Sequence, residues 1–206
     1  MSDRSPHTLG TPVRERILLA AMECLERDGM EGLTVRAISR QAGVNVAAVN
    51  YYFGSKERLL EEMRDRHLSS GFADPLVELE ILLEREDLTR AEALRSFFAV
   101  FIGDMVRYPR TVEAYLHDAL ARQDYGGKAF SALGEFLEAF RERTREALAE
   151  GDDVAQRIAV AQLWSAILFH GLLPRAVDPF VGLALASEEG VARYAGALVR
   201  AYFPRA

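Results

Sequence analysis

Apolar residues recur every three or four positions along most of this chain, which is the spacing of one buried face on an α-helix. The first such stripe contains Val13, Ile17, Ala21, Cys24 and Leu25. No segment shows the strict alternation of apolar and polar residues that is typical of a half-buried β-strand. The pattern therefore predicts an all-α chain of about nine to ten helices.

Two short helices joined by a tight turn are predicted between Leu33 and Phe53. Thr34 and Asn45 each precede a helical segment, and both are preferred N-cap residues because a short side-chain oxygen accepts a free backbone N–H of the first turn. Gly43 stands between the segments, where the chain needs a positive φ that glycine adopts without steric cost. This spacing is typical of a DNA-binding helix-turn-helix, whose second helix enters the major groove. The residues expected to pack the two helices together are Ile38, Ser39, Val44 and Val49.

A more specific likeness is carried by Leu33-Thr34-Val35-Arg36, Gly43-Val44, Val49-Asn50-Tyr51-Tyr52-Phe53-Gly54-Ser55-Lys56-Glu57 and Leu59-Leu60. With the helix that precedes them, these residues resemble the N-terminal domain of the TetR family of transcriptional regulators. The resemblance covers about residues 13–62. It implies a homodimer on double-stranded operator DNA, a ligand-binding region in the middle helices, and repression as the usual mode of action.

The side chains of the second motif helix offer the chemistry needed to bind a DNA duplex. Asn50 is suited to a bidentate hydrogen bond to adenine, and small apolar residues beside it are suited to thymine methyl groups. Arg36 is expected at a guanine edge or a phosphate, and hydroxyls and one ammonium at phosphates. Tyr52 is either a phosphate contact or a core residue, and Phe53 is expected in the core. The predicted DNA-binding residues are Thr34, Arg36, Asn45, Val46, Ala47, Ala48, Asn50, Tyr51, Tyr52, Ser55 and Lys56.

The rest of the chain predicts further helices separated by proline and glycine breaks. Ser55 is expected to cap a fourth helix, and Asp74-Pro75 is either a second helix start or a kink in one long helix that ends near Arg85. Thr89 and Glu92 have the spacing of a capping box, so a helix is predicted from residue 90. The remaining predicted elements are helices over about 110–122, 130–151, 153–173 and 187–203, with a loop bounded by Pro174 and Pro179.

The helix over 153–173 contains VAQLWSAILFHGLL, which is apolar almost all round. Such a helix is buried on more than one side. We therefore expect a homodimer through helices 153–173 and 187–203, the alternative being that their apolar residues serve only the core of their own chain. The predicted organisation is a flexible arm (1–12), a helix-turn-helix domain (13–54) and a ligand-binding and dimerisation domain (55–206).

A small, largely apolar effector is the expected ligand of the middle helices, with Tyr115 or His117 as its polar contact. Each lining residue taken alone is expected to be ordinary core more often than a ligand contact. The candidate pocket residues are Phe98, Phe101, Met105, Tyr115, His117, Phe136 and Trp164.

Charge is unevenly distributed along the 206 residues, whose net charge is −6. Residues 1–60 contain eight Lys or Arg and seven Asp or Glu, so the acidic excess lies in the remainder, and DNA binding requires only a positive docking face. The sequence contains no run of 18 apolar residues, so no membrane span is predicted. The first twelve residues have no apolar segment typical of a secretory signal, and the single Cys24 fits a reducing cytoplasm as core filler.

Two rival functions follow from the same sequence. An enzyme is disfavoured because GxSxG, P-loop and GxGxxG motifs are absent, and because Glu113 and His117 lack a second histidine at metal-ligand spacing. No cofactor is expected. The other rival is a helical small-molecule-binding or scaffold protein without specific DNA binding, which Arg36, Asn45, Tyr51 and Lys56 disfavour.

Overall fold

The computed structural model describes residues 12–107, 109–110, 113 and 128–206, and their side chains except those of 64–73 and 128–130. Within these residues every regular element is an α-helix, as predicted. The helices are α1 (Val13–Gly32), α2 (Val35–Ala42), α3 (Val46–Phe53), α4 (Lys56–Leu83), α5 (Arg90–Arg107), α6 (Lys128–Thr144), α7 (Asp153–Leu172), α8 (Pro174–Val181) and α9 (Glu188–Tyr202).

Two hydrophobic clusters divide the described residues. The smaller one joins α1, α2 and α3 to the first two turns of α4, where Leu59 and Met63 are buried. The larger one joins the end of α4 to α5, α6, α7 and α9 around several phenylalanines and Trp164. Because α4 contributes to both clusters, it is the element that connects the small helical unit to the larger bundle.

Helix starts agree with the predicted capping chemistry. The hydroxyl of Thr89 accepts the backbone N–H of Glu92, whose carboxylate accepts the N–H of Thr89 at 2.8 Å, so the predicted capping box is present. Asp152 and Ser187 cap α7 and α9 through the N–H groups three residues on. Pro75 lies inside α4, which continues to Leu83, so the alternative of one long helix is correct.

Two predicted features differ from the structure, one helix end and one loop. The helix expected to end at Gly151 ends at Thr144, whose carbonyl accepts the N–H groups of Ala147 and Leu148 in a closing turn. The expected loop between Pro174 and Pro179 is the helix α8, which has proline in its first turn, where the missing N–H has no helical partner to lose.

The first helix begins directly after Pro12, which is its N-cap and makes no side-chain cap hydrogen bond. Gly29 interrupts this helix with φ of 69°, after which the helix continues to Gly32. Thr11 and most of the helix predicted over 110–122 lie outside the described residues.

No single helix among the described residues is long and apolar enough to cross a bilayer. Asp153–Leu172 and Pro174–Val181 satisfy the length and hydropathy criteria only as a pair, which is bent by 106°.

Candidate nucleic-acid interface

The turn between α2 and α3 has the backbone geometry that the sequence predicts. Gly43 adopts φ 66° and ψ 35°, the left-handed conformation that glycine takes without strain. The N–H of Val44 then bonds to the carbonyl of Ser39 at 2.9 Å. Ser39 is buried, and its hydroxyl donates to the carbonyl of Arg36 at 3.1 Å, so the polar group closest to the helix crossing has a partner.

The inner face of α3 is fixed in the small cluster by Val49 and Phe53, both buried as expected. The guanidinium of Arg14 lies 5.2 Å from the centre of the Phe53 ring, and it also pairs with Glu62 of α4. This cation–π contact and ion pair brace the end of α3 against α1 and α4. Helix spacing alone places Arg14 on the solvent side, so the sequence carries no signal for this contact.

The outer face of α3 is unusually apolar and aromatic for a solvent-facing surface. Val46 and Tyr52 are exposed, and Tyr51 has 84% of its surface exposed. The rings of Tyr51 and Tyr52 meet edge to face, with centroids 5.2 Å apart. Asn50 is exposed between them and the helix start. An exposed amide with two phenol groups and small apolar residues can bond to base edges, methyl groups and phosphates at once.

Three predicted contact residues also cap helices. Thr34 Oγ1 accepts the N–H of Ala37 at 3.1 Å, and Asn45 Oδ1 accepts the N–H of Ala48 at 2.7 Å. Capping uses only the oxygen of each side chain, so the Asn45 amide N–H₂ and the Thr34 O–H remain available as donors. Thr34 and Asn45 therefore cap their helices and can still donate hydrogen bonds to an anionic partner such as a phosphate.

Ser55 is engaged more fully than the other two caps. Its Oγ accepts the N–H of Arg58 at 3.3 Å, and its hydroxyl bonds to the carboxylate of Glu57. The backbone N–H of Glu57 and the Ser55 hydroxyl hold the pKa of the Glu57 carboxyl below its usual range. A phosphate contact by Ser55 would require this hydroxyl to leave Glu57. Lys56 and the exposed Arg58 supply positive charge at the same helix start, and the KER run is the sequence signal that could have included Arg58.

Every predicted DNA-binding residue is at least partly accessible. Ala48, Ser55 and Lys56 are half-buried, and the others are exposed: Thr34, Arg36, Asn45, Val46, Ala47, Asn50, Tyr51 and Tyr52. Of the two aromatic residues at the end of α3, Tyr52 faces outward and Phe53 inward. Cys24 is fully buried, and burial raises the pKa of its thiol, which agrees with core filler.

The candidate pocket residues that the structure describes lie together in the larger cluster. Phe98, Met105, Phe136 and Trp164 are buried there, and Phe101 packs against them half-buried. Tyr115 and His117 lie outside the described residues. Among the side chains that are described, no group of three or more His, Cys, Asp or Glu is arranged to hold a metal ion.

Residues 17–63 match the family model of bacterial regulatory proteins, tetR family. The match ends at the last buried residue of the small cluster, Met63. The N-terminal unit is a TetR-family DNA-binding domain. This helix-turn-helix unit and the C-terminal helical bundle are the two parts expected of that family, so the predicted fold class and the resemblance are confirmed.

Two curated relatives show how far the likeness extends. A segment of 93 residues is 38% identical to the transcriptional regulator BetI of Vibrio vulnificus, and covers 44% of each chain. An alignment of 187 residues is 28% identical to the transcriptional repressor NicS of Pseudomonas putida, and covers 87% of this chain and 85% of NicS. Both are named as regulators of transcription, which agrees with the prediction that the chain is not an enzyme.

Solved structures share the fold over almost the full length. A TetR-family regulator from Mesorhizobium loti superposes with a TM-score of 0.66 at 19% identity, and covers 93% of this chain and 96% of its own. SmeT, the repressor of the Stenotrophomonas maltophilia multidrug efflux pump SmeDEF, superposes with a TM-score of 0.60 at 25% identity. The superposition covers 95% of this chain and 92% of SmeT.

Proposed function

We propose that this chain is a transcriptional repressor that binds a palindromic operator as a homodimer and leaves it when a small, largely apolar molecule binds. The observation that carries the proposal is the outer face of α3, where Asn50, Tyr51 and Tyr52 are exposed on a helix whose other face is fixed in the core. We assign DNA contact to residues 13–54, with the arm 1–12 before them, and ligand binding and dimerisation to 55–206. The site of action is then the cytoplasm, where bacterial DNA lies.

A second copy of the chain is the expected partner of α7. Its inward face carries Val160, Leu163 and Ile167, all buried in the larger cluster. The outward face of α7 also carries apolar side chains, and the exposed residues of α9 include three alanines together with Arg193 and Arg200. Isologous pairing would bury both surfaces across a two-fold axis. The exposed apolar residues of this surface are Val154, Ile158, Leu168 and Phe169 of α7, with Leu173, Phe180 and Val181 at α8.

Dimerisation matters because one helix-turn-helix contacts few base pairs. Two copies related by a two-fold axis place two α3 helices in successive major grooves, about 34–36 Å apart or a multiple of that distance. Each phosphate contact also releases counterions, so affinity is expected to fall steeply with salt. The acidic bundle reduces attraction to DNA away from a specific site.

Ligand control requires a connection between the bundle and the DNA-binding unit. α4 runs without interruption from its cap at Ser55 to Leu83 and takes part in both clusters. Arg110 adds a second connection, because its guanidinium donates to the carbonyl of Arg27 at 3.4 Å near the end of α1. A ligand that fits only an arrangement with the two α3 helices wrongly spaced lowers DNA affinity by its differential binding free energy.

The direct test is selection of bound duplexes from random DNA with the purified protein. We expect a palindrome whose half-site centres are about 10 base pairs apart or a multiple of that. Asn50→Ala should weaken binding to the selected duplex by about 10- to 100-fold and relax preference at the adenine it contacts. Glu78→Ala removes an exposed polar side chain from α4, outside both α3 and α7, and is the control that should leave binding unchanged.

Two outcomes would contradict the proposal. Recovery of no preferred sequence would favour the rival, a helical small-molecule-binding or scaffold protein. Equal affinity of the Asn50→Ala variant and the wild type would remove α3 from the interface. Repression itself is tested with a reporter behind the selected operator, whose expression should fall when the protein is present.

A further inference from the structure

Trp164 lies at the centre of the aromatic part of the larger cluster. The centroids of the Phe101, Phe136 and Phe140 rings lie 4.7, 4.8 and 5.2 Å from that of its indole, and Phe97 and Phe98 lie within 6.4 Å. Only 9% of the Trp164 surface is exposed. Phe101, on α5, is half-buried, so the ring cluster approaches the surface at that residue.

The indole N–H of Trp164 is buried and has no hydrogen-bond acceptor among the residues that the structure describes. Two buried polar side chains of the bundle are paired: Thr144 Oγ1 donates to the carbonyl of Phe140 at 2.8 Å, and His170 Nε2 lies 2.7 Å from Asp178 Oδ1. Buried nitrogen or oxygen atoms of Arg141, Arg143 and Gln156 are unpaired like the indole N–H, but they belong to charged or amide side chains and not to a cluster of rings. A buried indole N–H usually finds a partner, and leaving it unpaired costs stability. The three closest rings stand at 75–86° to the indole, and N–H contacts with ring faces compensate only weakly.

We propose that Trp164 Nε1–H is the polar anchor of the effector, which therefore carries a neutral hydrogen-bond acceptor such as a ketone, ester or aryl ether oxygen on an aromatic or alicyclic skeleton. The rings around the indole favour an apolar skeleton, and none of them can donate a competing hydrogen bond. The buried Arg141 is committed to Glu138 and Asp153, so it offers no free cation for an acidic ligand. This inference rests on the proposed ligand-responsive function and specifies the chemistry of its ligand.

The acceptor requirement can be measured with pairs of molecules that differ only in a carbonyl oxygen. Benzophenone is compared with diphenylmethane, and acetophenone with ethylbenzene, by calorimetric titration of the full-length chain. Each ketone should bind the wild type about 5- to 10-fold more tightly than its hydrocarbon, which is the usual worth of one hydrogen bond. In Trp164→Phe, which keeps a ring but removes the N–H, the ratio should fall to about one.

Phe136→Leu is the matched control, because it removes a ring that contacts the indole but leaves the N–H in place. It should weaken both members of a pair and preserve their ratio. Because Trp164 is the only tryptophan, the wild type gives a single indole N–H signal after ¹⁵N labelling of tryptophan. That signal should move downfield with the ketone and not with the hydrocarbon, which tests the proposal even where a variant fails to fold.

Equal affinities within a pair, failure of all four molecules to bind, or an indole signal indifferent to the carbonyl would overturn the inference. Its failure is distinguishable from that of the proposed function. If the ketones bind at Trp164 but no duplex is preferred, the proposed DNA-binding function is wrong and the inference about the ligand stands. If a specific duplex binds but ketone and hydrocarbon bind equally, the inference about the ligand is wrong and the proposed function stands.

Discussion

The helices α3 and α7 begin with the same kind of side-chain cap and differ in the residues on their outer faces. Each begins at a capping residue with extended backbone, whose side-chain oxygen accepts the N–H three residues on: Asn45 for α3 at 2.7 Å and Asp152 for α7 at 2.8 Å. Each also carries more apolar residues than its own core buries. The excess on α3 comes with amide and phenol groups, and that on α7 is aliphatic and aromatic. The polar groups that lie beside exposed apolar residues therefore indicate the class of partner, which is DNA for α3 and a second copy of the chain for α7.

The charge of the two caps differs in the same sense. A carboxylate suits a helix N-terminus better than an amide does, because it complements the positive end of the helix dipole. α7 has that carboxylate, while α3 has the neutral amide. A negative charge at the start of α3 would face phosphates if this helix enters a DNA groove, so the weaker cap is the one compatible with DNA.

The largest effect is expected from a charge on the outer face of α7. Ile158 has 52% of its surface exposed, so Ile158→Glu should leave the fold intact but place two carboxylates across the two-fold axis. The protein should sediment as a monomer, and affinity for the selected duplex should fall at least about 100-fold, since one copy keeps only one half-site. Val77→Glu on α4 is the control, since 57% of the surface of Val77 is exposed. It should change neither the sedimentation of the protein nor its affinity for the duplex. A dimeric Ile158→Glu variant would remove α7 from the interface.

An exchange of the two caps should give a smaller effect that separates stability from binding. Asn45→Asp preserves the cap and should leave the melting temperature unchanged or slightly raised. It should lower duplex affinity about 10- to 30-fold, because one carboxylate per half-site approaches the phosphates, and added salt should narrow the difference. Asp152→Asn should change duplex affinity little. Identical duplex affinities for Asn45→Asp and the wild type would mean that the start of α3 does not face DNA.

The smallest effect is expected at the turn that orients α3. A Cβ at Gly43 would meet no atom within 4 Å, so Gly43→Ala should cost only backbone strain, about 1–2 kcal/mol, measured by urea unfolding. Gly103 is equally unobstructed but lies inside α5, where alanine is favoured, so Gly103→Ala should stabilise by about 0.5–1 kcal/mol. If both variants changed the free energy of unfolding in the same direction, the left-handed conformation of Gly43 would be contradicted.

Local chemistry made much of this structure predictable from sequence. Caps such as Asn45, Ser55 and Asp152 depend on residues three positions apart, and the positive φ of Gly43 depends on one residue type. The helix α8 was missed because two prolines suggest a loop, although one at the helix start and one near its end remove few hydrogen bonds. The unpaired N–H of Trp164 could not be predicted, since it depends on how α5, α6 and α7 pack around it.

The central claim is that two copies of the exposed α3 face bind one symmetric duplex. Sedimentation velocity of the protein with its selected palindrome, compared with a duplex in which one half-site is scrambled, tests it most directly. We expect two chains per duplex on the palindrome and at least about 100-fold weaker binding to the scrambled duplex. A single chain that binds both duplexes with equal affinity would contradict the account.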